Sequence, residues 1–217
     1  MTKCAVRLLA AFCLVAACAT ALWAESHSEA SNTFTAPDGA FTFRYSNQLI
    51  RCEKQGEHVW EPFENCTAHA PVCDDTAHFA SPGQTSIACF AYPRNKCTNT
   101  GAFVAATFSV EVVDDRTTAK SCLAGPEGVE DVDKHGATRI DGVPFSVFAV
   151  GEGGMNQSTV GDVYRTFHKG KCYQLGVNVA TANVDTDDPP QRELTDADLR
   201  EVNGTLQQAR KSFRFLK

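Results

Sequence analysis

Two thiols and two imidazoles fall within a short stretch, in the order Cys66-x2-His69-x3-Cys73-x4-His78. Such a set supplies the nitrogen and sulfur donors that can close a tetrahedral zinc site. The spacing departs from the common zinc modules, and the same thiols can instead close a local Cys66–Cys73 disulfide, with His69 and His78 left to solvent. Compartment decides between the two, because thiols persist in a reducing cytosol and oxidise outside it.

The first 24 residues point outward. Lys3 and Arg7 form a positive start, Leu8 to Ala17 an apolar run, and small residues follow, with cleavage expected after Ala21 or Ala24. The run is shorter than the roughly 20 residues a spanning helix needs. Residues 1–24 therefore read as a signal peptide and residues 25–37 as a flexible segment. Leu14-Val15-Ala16-Ala17-Cys18 also has the form of a bacterial lipobox, in which Cys18 would carry lipid and residues 22–35 would act as a tether. That lipid is the only membrane link the sequence offers. The expected location is the periplasm or the extracellular space.

In an oxidising compartment, structural disulfides are the first expectation for Cys52, Cys66, Cys73, Cys89, Cys97, Cys122 and Cys172. Three bridges among six cysteines already allow 15 pairings. The preferred long-range pair is Cys122 with Cys172; a bridge closing about 50 residues is worth on the order of 4 kcal/mol in the chain-entropy model. Cys52 to Cys97 would supply two more bridges and leave one thiol over. No C-x-x-C occurs, so a thioredoxin-type exchange lacks its motif.

Other chemistry finds little support. There is no G-x-S-x-G nucleophile turn. His168 falls in a tight turn and reads as a solvated polar residue. Gly151-Glu152-Gly153-Gly154 has the glycine content of a phosphate loop but joins two expected strands, so it reads as a hairpin loop. Asp185, Asp187 and Asp188 precede Pro189-Pro190 without the Gly and Glu of an EF-hand loop, and read as an acidic linker. Asn65, Asn156 and Asn203 open glycan sequons that matter only in a eukaryotic source. No catalytic residue and no cofactor is assigned. The chain is acidic, with a net charge of −6 and no basic run, which disfavours nucleic acid.

The elements that must hold these residues are mostly strands, followed by one helix. Ala40 to Tyr45 alternates, putting Phe41, Phe43 and Tyr45 on one face, with 48–54 as its partner strand. Residues 55–84 show no sustained period and read as a disulfide-tied insertion. Ser86 to Tyr92 makes a strand, and Phe103 to Val113 has the β-branched and aromatic character of a central one. Thr117 to Leu123 reads as a short capped helix. Asp141-Gly142 joins one hairpin, 138–150, and 168–171 joins another, 161–180. Thr195 caps a helix whose apolar stripe is Leu199, Val202, Leu206, Ala209 and Phe213. Strands covered by such a helix make an α+β sandwich, and residues 38–217 form one domain.

Several segments resemble the PsbP family of photosystem extrinsic subunits. They are the strand Phe41-Thr42-Phe43-Arg44-Tyr45, the strand from Phe103 to Val113 with its short helix, and the hairpin Ile140-Asp141-Gly142-Val143-Pro144-Phe145. The strand Tyr164-Arg165-Thr166-Phe167 and the ending Ser212-Phe213-Arg214-Phe215 complete the set. Residues 164–175 are also similar to exported acidobacterial proteins of unknown function. The PsbP resemblance implies an antiparallel sheet covered by a C-terminal helix, an α/β/α sandwich, and a non-catalytic binding or assembly role. It transfers no metal ligand. Its partner, a protein or a small molecule, is unspecified, and the alternative role is metal binding at Cys66, His69, Cys73 and His78.

Overall fold

The computed structural model describes residues 31–52, 84–92, 103–113, 117–126, 131–154, 157–182 and 195–217. Among them lie ten strands and two helices. Strands β1 (Ser31–Thr35), β2 (Phe41–Ser46) and β10 (Arg214–Phe215) form a small antiparallel sheet in the order β1-β2-β10. Strands β3 (Ile50–Arg51), β4 (Gln84–Ala91), β5 (Phe103–Val113), β6 (Asp131–Ile140), β7 (Val143–Gly154), β8 (Gln157–His168) and β9 (Lys171–Ala182) form the large one. Its order is β3-β4-β5-β9-β8-β7-β6, with antiparallel neighbours throughout. Helix α1 is Ala119–Cys122 and helix α2 is Asp196–Ser212.

Long-range pairing corrects several local expectations. Within the expected partner of β2 at 48–54, of which residues 48–52 are described, Ile50–Arg51 form β3, which pairs β4 in the other sheet. The true partners of β2 are β1 and β10. Strand β1 occupies part of the stretch expected to be flexible, because Phe34 is buried against Phe43 and Phe90, at centroid distances of 5.1 and 5.6 Å. Gly151 to Gly154 is strand rather than hairpin loop: Gly151 pairs Val160 and Gly154 pairs Gln157.

Alternation sorts each strand of the large sheet between two faces. One face carries Phe90, Phe108, Val110, Phe145, Tyr173, Leu175 and Val177, and receives both the small sheet and α2. Phe43 meets Phe108 edge-on at 5.0 Å and Phe41 meets Phe213 at 5.1 Å. Burying each such ring is worth roughly 1.5–3 kcal/mol. Val202, Thr205, Leu206 and Ala209 are the buried stripe of α2, as its period requires, and buried Phe213 follows as its C-cap. Thr195 accepts from Asp198 N while Asp198 bonds back to Thr195 N, a reciprocal cap.

The opposite face carries α1, tied to β9 by the Cys122–Cys172 disulfide with Cα atoms 5.6 Å apart. Thr118 caps α1 by accepting from Ser121 N. Past the helix, Gly125 takes φ +125°, a conformation closed to ordinary side chains, and an added Cβ would crowd Phe148 at 3.1 Å.

Candidate functional site

The far face of the large sheet holds a transverse row of polar side chains that the sequence reading missed. Ser146, Arg165, Gln174 and Glu111 stand opposite one another on β7, β8, β9 and β5. Arg165 is 3 % exposed, Gln174 1 % and Glu111 1 %. Arg165 donates Nε to Gln174 Oε1 at 2.7 Å and a guanidinium N–H to Gly125 O; Gln174 donates Nε2 to Glu111 Oε2 at 2.8 Å. A buried carboxylate and a buried guanidinium are thus bridged by one amide, the arrangement that buried charges demand. The signal was present as Glu111 and Gln174 at alternate positions in otherwise apolar strands, where alternation reads equally well as a solvent-facing side.

Two rows away, Asn178 is 1 % exposed and lies across two glycines. A Cβ at Gly161 would collide with Asn178 Oδ1, and one at Gly176 would come within 2.7 Å of Ser109 Oγ and 3.1 Å of Asn178 Nδ2. Asn178 Oδ1 accepts no hydrogen bond among the described residues. Between these rows Cys89, counted above among cysteines able to bridge, is a free, half-buried thiol whose register partner on β5 is Ser109, not a cysteine. Cys52 is disulfide-bonded. The candidate set Cys66, His69, Cys73 and His78, together with Cys97, Cys18 and Asp185 to Asp188, lies outside the described residues. Among the described residues, no group of three or more His, Cys, Asp or Glu is placed to hold a metal, and no helix is long and apolar enough to cross a membrane.

On the other side, where α2 ends, β2 and β10 meet in a concavity of about 430 Å³ lined by Thr42, Arg44, Asp141, Lys211, Ser212 and Arg214, with Phe43 and Phe213 beneath. Arg214 stands opposite Thr42, and Arg44 is two residues further along β2, so both arginines share the outer face of the small sheet. Ser212 fixes that edge. Its Oγ accepts from Arg44 N at 2.8 Å and donates to Arg44 O at 2.8 Å, occupying the place a further strand residue would take. Arg44, Lys211, Arg214 and Asp141 are exposed, and none of the three cations enters an ion pair among the described residues.

Two titrating groups flank this end of the sheet. His168, expected to be a plain solvated turn residue, stacks on Phe215 at 3.9 Å and 13°. Burial, and then the charge of Lys169, hold its pKa below the ordinary value. Tyr164 is pushed up chiefly by burial; its hydroxyl donates to Asp162 at 3.1 Å and accepts from Gln207 at 3.4 Å, while Arg210 covers its ring at 4.6 Å.

Two antiparallel sheets packed against a C-terminal helix, with a staple from Cys122 to Cys172, make an α+β sandwich. The chain is similar to the solution structure of cyanobacterial PsbP (CyanoP) from Synechocystis sp. PCC 6803. The identity is 11 %, the TM-score 0.39, and the match covers 88 % of this chain and 96 % of that one. No family model and no curated protein matches the sequence. At that level the likeness passes no residue role and no activity to this chain.

Proposed function

We propose that the chain is an exported, non-catalytic binding or assembly module whose contact site includes the concavity of Arg44, Asp141, Lys211 and Arg214. The observation that carries the reading is the set of three exposed cations, free of ion pairs among the described residues, around one depression of an acidic protein. Exposed charges held close together without partners favour a complementary ligand. The site is built on strand and helix ends pinned by Ser212, which lowers the entropy lost on binding. Export agrees with the disulfide between Cys122 and Cys172.

The test is recovery of the native protein from the cells that produce it, followed by a native mass measurement. A stoichiometric non-covalent component is expected. A bare chain, or one that turns a substrate over, would contradict the reading.

A further inference from the structure

We infer that the concavity binds a small, multiply charged oxyanion, either a phosphate monoester or a polycarboxylate. This inference rests on the proposed binding role and gives it a ligand class. Three of the four charged residues that line the depression are positive, on a chain whose 26 acidic residues outnumber its 20 Lys and Arg. Two of the three are arginines on one face of paired strands, β2 and β10. The planar donor fork of arginine matches the oxygens of a carboxylate or phosphate, and neighbouring guanidinium groups on one face can engage different oxygens of one ligand. Lys211, at the last turn of α2, adds a third positive charge from the helix side.

The basic character extends beyond the lining. Arg210, Lys211, Arg214 and Lys217 crowd the final eight residues, and Lys169 reaches the same end through a 3.3 Å bond to Leu216 O. Arg44, Lys211 and Arg214 form no ion pair among the described residues, so like charges outnumber opposite ones around the depression, and an oxyanion relieves their repulsion. Asp141 is the opposing charge in the lining. It sits at φ +48° in the β6–β7 turn and is followed by Gly142 at φ +78°. It therefore lowers affinity for any anion, and its neutralisation raises it. The volume, about 430 Å³, lies within the range of small-molecule sites.

The test is an amide NMR titration of the full mature protein with inorganic phosphate, with glycerol 3-phosphate and with citrate. Each is run at low ionic strength and again near 1 M salt, where the screening length is about 3 Å. At least one probe is expected to give saturable shifts at Arg44, Asp141 and residues 211–214, abolished by high salt; the stronger probe separates a phosphate from a carboxylate ligand. Arg44→Gln with Arg214→Gln should weaken that binding by about tenfold or more, and Asp141→Asn should tighten it. Shifts that fail to saturate with all three probes, or that persist unchanged in the double arginine variant, would overturn the oxyanion assignment. If all three probes fail while the native component is still lost from the same variant, the ligand class is wrong and the binding role survives.

Discussion

Gln174 is the residue on which the buried polar row depends. It accepts from Arg165 and donates to Glu111, so each charge meets a dipole of the right sign through one side chain. Replacing it with leucine, which is similar in size, removes one bond from a buried guanidinium and one from a buried carboxylate. Gln174→Leu should cost about 3 kcal/mol, measured as a lowered urea midpoint. A cost within experimental error would show that the row carries little stability. His168 gives a second prediction. Its folded-state pKa is depressed, so between that value and the ordinary one, near 6.5, the unfolded chain binds more protons. Stability from this source is complete above about pH 6.5 and is lost as pH falls through the folded-state value. His168→Phe keeps the stack on Phe215 without the titration, so the acid-side fall in melting temperature should be shallower than in the wild type. An unchanged slope would contradict this.

At the scale of elements, what was legible depended on locality. Helix α2 could be placed from the sequence because its stripe recurs at helical spacing and Thr195 marks its start. Strand β5 announced itself by length and β-branched content, and both hairpins by their Gly-containing turns. Strands β1, β3 and β10 were missed or misassigned. Two are only two residues long, and all three owe their pairing to chain distant from their own local pattern. The polar row was unread for a related reason: alternation marks two faces but does not say that both are buried. The Cys122–Cys172 bridge joins these levels. It spans 50 residues and anchors the segment whose Gly125 carbonyl receives Arg165. Cys122→Ala with Cys172→Ala should therefore cost about 4 kcal/mol or more by denaturant unfolding, since the loss of loop restraint is joined by loss of the carbonyl from a buried guanidinium. A cost below about 1 kcal/mol would mean that α1 and Gly125 hold their places without the bridge.

For the whole molecule, the fold separates two kinds of charge. Glu111 and Arg165 are buried and bridged within the large sheet, and serve the interior. Arg44, Lys211 and Arg214 are gathered at the surface where α2 ends against the small sheet, and make that end more positive than the acidic chain around it. Neither the depression nor its charge could be read in order along the sequence, because β10 must pair β2 to bring Arg214 beside Arg44, and Asp141 joins them from the β6–β7 turn. The central claim is that this end of the protein holds its ligand. The most direct test compares native masses of the wild type and of the Arg44→Gln, Lys211→Gln, Arg214→Gln variant, both recovered from the producing cells. The wild type should retain a stoichiometric component that the variant loses at an unchanged melting temperature; equal retention by the two would contradict the claim.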